Sequence, residues 1–297
     1  MPVLLVASLC LLVVLVFIVA LLSYGLAWRV TRPGRHTYWD EYTFHPTDMG
    51  VPYETVSFLS PDGLRLVAWL MKQPDSGITV VLGSGYRDRK TSLLPVAAGL
   101  WRQGLNVFLL DFRNQGDSQM DDAQTMGWRE IQDMLAAVSE VESRLPGCKI
   151  AAMGWSMGAV VSIFAAARDR RIAAVVADSA YADQAEVIAF NFSQVTHLPA
   201  IPFVPLAETF FQWRAGYRPS QVRPEDVIAD IAPRPILIIH GMQDDMCPVG
   251  HAHRLYARAG EPKELWLTPD TKHVGSYFAD PDVYIKRVAR FLHDYLD

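Results

Sequence analysis

Cysteine is scarce in this chain of 297 residues, and the scarcity limits how it can be held together. The three cysteines, at positions 10, 148 and 247, form neither a disulfide framework nor a zinc cluster. Basic residues are also in slight deficit, with 27 Lys and Arg against 32 Asp and Glu, so the footprint of a nucleic-acid-binding protein is absent. With 51% hydrophobic and 20% charged residues, the chain has instead the composition of a folded protein with a large core.

Charged residues are missing altogether from Val3 to Trp28. This apolar run is long enough to cross a hydrocarbon layer of about 30 Å as a helix. A signal peptide would have a basic segment before an apolar stretch of only about 7–15 residues, and the run fits that description less well. A buried core helix is a further alternative, although such helices rarely continue this long without a polar face. The run therefore predicts a single transmembrane anchor in residues 1–30.

The charges that flank this run predict its orientation. Arg29, Arg32 and Arg35 follow it directly, and the positive-inside rule then places the rest of the chain in the cytoplasm. The aromatic side chains of Trp28, Tyr38 and Trp39 suit a membrane interface. We expect residues 31–50 to form a linker and residues 51–297 to form the folded domain.

Strand and helix patterns alternate through this domain. Eight short segments are typical of strands, namely 54–58, 64–70, 78–82, 106–110, 149–153, 172–177, 236–240 and 264–267. Helical segments separate most of them, at 93–103, 128–145, 159–168 and 250–259, and a closing helix is expected at 283–295. The alternation predicts an α/β fold with a mostly parallel eight-stranded sheet and helices on both faces. The turn Ser60–Gly63 joins the first two strands as an antiparallel hairpin at one edge.

One segment, residues 183–223, interrupts this rhythm between two predicted strands. It is rich in aromatic residues and prolines. We interpret it as a small helical cap over the carboxyl-terminal edge of the sheet, with an ordinary helix and long loops as the alternative.

A Gly-x-Ser-x-Gly sequence, Gly154 to Gly158, lies between a predicted strand and a predicted helix. In that setting it is typical of a nucleophile elbow, in which a strained turn exposes the serine hydroxyl and leaves no room for side chains beside it. Ser156 is therefore the candidate nucleophile. A serine hydroxyl is weakly nucleophilic and needs a general base that an acid holds in place.

Candidate acids and bases follow the later strands. Asp244 and Asp245 come after the strand 236–240, and His273 comes after the strand 264–267. Loops at the carboxyl ends of parallel strands converge on one edge of the sheet, so these side chains can reach Ser156.

With these motifs the chain resembles the α/β-hydrolase superfamily, particularly its esterase and lipase-like members, over about residues 54–295. The resemblance implies that the segment Gly241–Pro248 supplies the acid, which selects Asp244 over Asp245. Asp178 is a less favoured acid. The same resemblance makes His273 the base. Five histidines from the later part of the chain fit worse, namely His197, His240, His251, His253 and His293.

The resemblance also implies an oxyanion hole built from the backbone N–H groups of Met157 and Tyr86. Relatives usually carry His-Gly before the second donor, whereas this chain has Ser84 and Gly85, a departure that affects the packing of the loop. The segment 111–118 matches a structural loop of the family, so we assign it no chemistry.

These features together predict a membrane-anchored serine hydrolase that cleaves an ester or thioester of an acyl, lipid-like substrate, without a metal or an organic cofactor. A serine peptidase with the same fold is the first alternative, and Glu208 or Arg214 could then bind a peptide terminus. A binding protein that has kept the fold without catalysis is the second alternative. The substrate's identity and chain length stay open.

Overall fold

The computed structural model describes residues 2–34 and 44–297, so Arg35, Tyr38 and Trp39 lie outside the described residues. Within these ranges eight strands form one sheet in the order β1-β2-β4-β3-β5-β6-β7-β8. Their bounds are β1 Glu54–Leu59, β2 Arg65–Met71, β3 Ile78–Gly83, β4 Asn106–Asp111, β5 Lys149–Trp155, β6 Ile172–Asp178, β7 Ile236–Gly241 and β8 Lys263–Thr268. The predicted α/β architecture is confirmed, and each of the eight strands ends one or two residues later than the sequence patterns indicate.

Neighbouring strands are antiparallel at the hairpin edge of the sheet and parallel through the rest of it. The hairpin strands β1 and β2 are antiparallel to each other, and β2 is antiparallel to β4. The remaining pairs, from β4 through β3 to β8, are parallel. Strands β3, β4 and β7 are buried along their whole length, as strands covered on both faces must be.

Helices cover both faces of the sheet. Among the described residues they are α1 Pro2–Thr31, α2 Leu94–Arg102, α3 Glu130–Arg144, α4 Met157–Arg168, α5 Gln184–Thr196, α6 Phe203–Ala215, α7 Gly250–Arg258, α8 Ser276–Ala279 and α9 Pro281–Leu296. Helices α2 and α9 pack on one face, and α3 and α4 pack on the other, which gives two hydrophobic cores separated by the sheet.

Two further features lie outside this three-layer body. Between β6 and β7 the chain forms α5, α6 and short 3-10 turns. We call residues 183–223 of this insertion the cap, which contains α5, α6 and the turn Pro219–Gln221. At the other end, α1 is long and apolar enough to cross a membrane, and its side chains from Leu4 to Ile18 are exposed. The last turns of α1 pack against α6 of the cap, with Ala27 fully buried.

Candidate active site

The turn between β5 and α4 holds Ser156 in a strained backbone conformation. Its φ of 51° and ψ of −113° lie outside the regions that residues with side chains commonly adopt. Gly154 and Gly158 make the turn possible, because a Cβ on Gly154 would lie 2.3 Å from the carbonyl carbon of Gly158. A Cβ on Gly158 would lie 2.2 Å from the carbonyl oxygen of Gly83. The elbow thus fits directly against the end of β3.

The structure brings the predicted serine, histidine and aspartate together. The Oγ of Ser156 lies 2.9 Å from Nε2 of His273, and Nδ1 of His273 lies 2.7 Å from Oδ2 of Asp244. Both distances are those of hydrogen bonds, so the three side chains form one continuous chain. The imidazole is mostly buried, with 13% of its side-chain surface exposed.

Asp244, and not its neighbour Asp245, faces the histidine. The second oxygen of Asp244, Oδ1, accepts hydrogen bonds from the backbone N–H groups of Met246 and Cys247 at 2.9 and 2.7 Å. Burial alone would raise the pKa of Asp244, but hydrogen bonds from His240 and His273 outweigh it and hold the pKa well below its usual range. Asp245 points to solvent, where its carboxylate pairs with Lys272 at 2.9 Å.

His240, one of the histidines that fit worse as the base, is nevertheless a direct neighbour of these three side chains. Its Nε2 lies 2.7 Å from the carbonyl oxygen of Cys247 and 3.3 Å from Oδ2 of Asp244. The side chain is fully buried. Hydrogen bonding to Asp244 raises the pKa of His240 against the opposing effect of burial. The signal that could have revealed this contact is its position at the end of β7, four residues before Asp244.

Asp178, the less favoured acid, is hydrogen-bonded to the elbow through its backbone. Its backbone oxygen accepts a 2.8 Å hydrogen bond from the N–H of Ser156. Its carboxylate accepts hydrogen bonds from Tyr284 Oη at 2.9 Å and from Ser179 Oγ at 3.0 Å. Burial raises the pKa of Asp178 to about 6. Tyr284 and Ser179 thus bind the carboxylate of Asp178, and the hydrogen bond to His273 comes from Asp244 instead.

The two expected oxyanion donors lie on either side of the serine. Met157 is the first residue of α4, where a backbone N–H has no partner inside its own helix. Tyr86 follows Gly85, at which an added Cβ would lie 3.7 Å from Cβ of Ser156. The loop that carries Tyr86 therefore runs past the serine at van der Waals distance.

Gln115 holds this loop in place, although it belongs to the segment 111–118, to which we assigned no chemistry from the sequence. The Nε2 of Gln115 donates to the carbonyl oxygen of Gly85 at 2.6 Å. Its Oε1 accepts hydrogen bonds from Ser84 Oγ at 2.9 Å and from the N–H of Phe112 at 3.3 Å. Ser84 and Gln115 are both buried. Ser84 therefore has a defined partner at the position where relatives carry histidine.

The other histidines are engaged elsewhere in the described chain. His251 Nδ1 accepts from the N–H of Ala182 at 3.2 Å, and His293 contacts Asp297 near the carboxyl terminus. His197 caps the end of α5 and His253 is exposed on α7. Among the described residues no group of histidine, cysteine and acidic side chains has the arrangement of a metal site.

This geometry is suited to acyl transfer. A hydroxyl bonded to an imidazole can lose its proton to that imidazole as it attacks a carbonyl carbon. A buried carboxylate on the far nitrogen fixes the tautomer and stabilises the imidazolium ion that forms. Backbone N–H groups beside the serine can stabilise the negative oxygen of the tetrahedral intermediate.

Known proteins share this chain's sequence pattern and fold. The profile of the prolyl oligopeptidase family matches residues 99–297. The uncharacterized protein YqkD of Bacillus subtilis is 32% identical over 249 residues, which cover 82% of this chain and 81% of YqkD. The uncharacterized protein YfhR of Escherichia coli K12 is 28% identical over 251 residues, or 80% of each chain. The solved structure of the Pyrococcus furiosus esterase Pf2001 superposes with a TM-score of 0.76 at 26% identity, covering 90% of this chain and 99% of that one.

Proposed function

Because this chain belongs to the prolyl oligopeptidase family of α/β-hydrolases, we propose that it is a serine hydrolase with Ser156 as nucleophile, His273 as general base and Asp244 as the orienting acid. The substrate that we propose is a carboxylic ester or thioester with an apolar acyl group. The continuous hydrogen-bonded chain from Ser156 through His273 to Asp244 carries this proposal.

The reaction proceeds in two halves. Ser156 Oγ attacks the carbonyl carbon while Nε2 of His273 takes its proton, and the N–H groups of Met157 and Tyr86 stabilise the oxyanion. His273 returns the proton to the leaving oxygen or sulfur, which departs as an alcohol or thiol and leaves an acyl-serine. Water then attacks the acyl group while His273 accepts its proton. His273 passes that proton to Ser156 Oγ as the acyl C–O bond breaks, which releases the carboxylic acid and regenerates the free serine.

Covalent labelling tests the nucleophile. A fluorophosphonate probe should label the wild-type chain and should not label Ser156→Ala, because only an activated serine reacts with such a probe. Ser139→Ala is the matched control, since Ser139 is an exposed serine on α3. Circular dichroism checks that all three proteins are folded. Undiminished labelling of Ser156→Ala would refute the assignment.

Contacts within the cap support an ester over a peptide substrate. Glu208 accepts hydrogen bonds from the N–H and Oγ of Ser220, and Arg214 donates to Oγ1 of Thr31. Both groups that could have bound a peptide terminus therefore have partners inside the molecule. The family name keeps a peptidase as the second candidate. Rates on acyl esters of graded length, compared with rates on aminoacyl amides, separate the two functions.

We further propose that α1 anchors the enzyme as a single-pass segment with the hydrolase domain in the cytoplasm. The uncharged run before Arg29 and Arg32 supports this orientation through the positive-inside rule. Protease added to intact cells should leave the domain uncut and should digest it after permeabilisation. Digestion from outside would reverse the orientation, and release of a shortened soluble form would identify a cleaved signal instead.

A further inference from the structure

The second half of α1 and helix α6 of the cap lie side by side. The rings of Tyr24 and Phe210 pack edge to face at 5.5 Å between centroids, and Tyr24 also lies 6.4 Å from Trp213. One to two turns further along both helices, Nε of Arg214 donates to Oγ1 of Thr31 at 3.0 Å. Because the contacts occur in the same order along both helices, α1 and α6 run parallel.

This pairing begins within the membrane-spanning part of α1. A span of about 20 residues counted from Leu4 reaches Ser23, whereas the packed side of α1 already begins at Val19. Val19 packs against the hydrophobic cluster that includes Phe203 and Val204 of α6, so we expect α6 to accompany α1 for about one turn inside the hydrocarbon layer. Phe203, the first residue of α6, lies seven residues before Phe210, or about 10 Å deeper along the helix axis.

The part of the cap at that depth carries exposed apolar side chains, and the polar side chains of Thr196 and His197 are exposed among them. Between Glu186 and Glu208 no Asp, Glu, Lys or Arg occurs. The side chains of Val195 and Ile201 are 80% and 74% exposed, and Leu198 is also exposed. Like the first half of α1, this tip of the cap, residues 195–201, therefore presents apolar side chains to its surroundings instead of to the hydrolase body.

The same elements meet the rim of the candidate site. The hydroxyl of Tyr86, whose N–H is the expected oxyanion donor, donates to the carbonyl oxygen of Val30 at 2.6 Å. The guanidinium of Arg87 donates to the carbonyl oxygens of Arg29 and Arg32 at 2.8 and 2.7 Å. On the opposite side, Asn191 of α5 donates to the carbonyl oxygen of Met246, two residues from Asp244. The end of α1 and the cap thus frame the serine from two sides.

We propose that the tip of the cap inserts into the bilayer beside α1, and that the enzyme takes a lipid acyl ester directly from that leaflet. The inference rests on the serine hydrolase function proposed above and names its substrate class. The ester bond of such a lipid lies at the level of the headgroups, near the last turn of α1 that contacts Tyr86 and Arg87. Hydrolysis of that acyl C–O bond consumes one water molecule and yields the free fatty acid and the lipid alcohol from which the acyl group was removed.

The first experiment compares two substrates with the full-length protein reconstituted in phosphatidylcholine vesicles. Wild type, Ile201→Glu, Val195→Glu and the control Leu59→Glu are assayed on a soluble short-chain ester and on a long-chain fluorogenic lipid ester embedded in the bilayer. Leu59 is similarly exposed, at 67%, but lies on the hairpin strand β1. A charge is costly in hydrocarbon, so the ratio of bilayer to soluble activity should fall at least about tenfold in both cap variants and stay at the wild-type value in the control.

The second experiment measures burial of the tip directly. Ile201→Cys and Leu59→Cys are made in a background in which Cys10 and Cys148 are serine, and vesicles are treated with a membrane-impermeant maleimide. Position 59 should be labelled, and position 201 should be protected until the vesicles are dissolved in a mild detergent; Cys247 is buried and stays unlabelled in the folded protein. Equal labelling at both positions, or disulfide-linked dimers through position 201, would overturn the proposal, the latter in favour of a second copy as the occupant.

The outcomes separate this inference from the proposed function. If the wild-type protein cleaves neither ester, or if the Ser156→Ala variant cleaves them as well as the wild type does, the proposed hydrolase function fails. If wild type cleaves both esters through Ser156 and the cap variants keep the wild-type ratio, the hydrolase function stands and the inserted cap is refuted.

Discussion

Replacing Asp244 with asparagine separates the role of this carboxylate from the effects of its burial. Asparagine has the same shape, and its amide oxygen can still accept the two backbone hydrogen bonds from Met246 and Cys247. The amide nitrogen must then face Nδ1 of His273, where the wild-type chain places an acceptor 2.7 Å away. Two donors cannot share that bond, so His273 should place its proton on Nε2 instead.

The consequence for the reaction follows from the other end of the imidazole. With a proton on Nε2, His273 donates to Ser156 Oγ across the 2.9 Å bond and can no longer take its proton. The imidazolium ion that forms during attack also loses its negative partner. A comparable change in a well-studied serine protease lowers kcat about 10⁴-fold. That factor corresponds to about 5 kcal/mol in the activation free energy, and we expect a similar loss here.

The neighbouring residue provides the matched control. Asp245→Asn removes one exposed ion pair with Lys272, and exposed pairs of this kind contribute little. We expect its kcat to stay within about tenfold of wild type. The assay is kcat on one activated short-chain ester for wild type, Asp244→Asn, Asp245→Asn and His273→Ala, with urea unfolding to compare stability. The reasoning is refuted if Asp245→Asn is the crippled variant, or if Asp244→Asn retains normal kcat while folded.

Two further substitutions test how the loop of Ser84, Gly85 and Tyr86 and the elbow of Ser156 are held in position. Gln115→Leu leaves Ser84 and the carbonyl of Gly85 without their buried partner, so kcat should fall about 10- to 100-fold with KM nearly unchanged. The control is Gln119→Leu, an exposed change close to the same segment, whose steady-state kinetics should stay near those of wild type. Gly158→Ala places a methyl group 2.2 Å from the carbonyl oxygen of Gly83, so urea unfolding should show a loss of about 1–3 kcal/mol or more. The control Gly250→Ala, where an added Cβ meets no atom within 4 Å, should unfold like wild type. If Gly158→Ala has the same free energy of unfolding as wild type, the elbow is not packed against β3.

The sheet could be predicted closely because each strand is a run of buried residues between clear turns. The differences are one or two residues at the strand ends, and they include the carboxyl ends of β5 and β6, which extend through Trp155 and Asp178. The pattern could not show these two extensions, because the extra residues lie next to the elbow turn and end in a polar side chain at Asp178. Hydrophobic periodicity therefore locates a strand but not the point at which its hydrogen bonding stops.

Placement of the candidate residues depended on a different kind of information. Topology alone predicts that loops after β5, β7 and β8 meet at one edge, and the structure places Ser156, Asp244 and His273 there. The choice between Asp244 and Asp245 came from resemblance, because adjacent residues of a loop have no periodicity that distinguishes them. The backbone bonds from Met246 and Cys247, which turn Asp244 inwards, depend on a loop conformation that the sequence pattern does not encode.

Contacts between parts of the chain that are distant in sequence were the hardest to foresee. Gln115 meets Gly85 across 30 residues, and Tyr86 meets Val30 across 56. Each of these bonds joins a side chain to a backbone carbonyl, and every residue offers a carbonyl, so no complementary residue type marks the partner in the sequence. The loop that carries Gly85 and Tyr86 is nevertheless held by both contacts, with Gln115 on one side and the backbone of α1 at Val30 on the other. A motif search that stops at the elbow and the three polar side chains therefore misses the groups that fix the position of the Tyr86 N–H relative to Ser156.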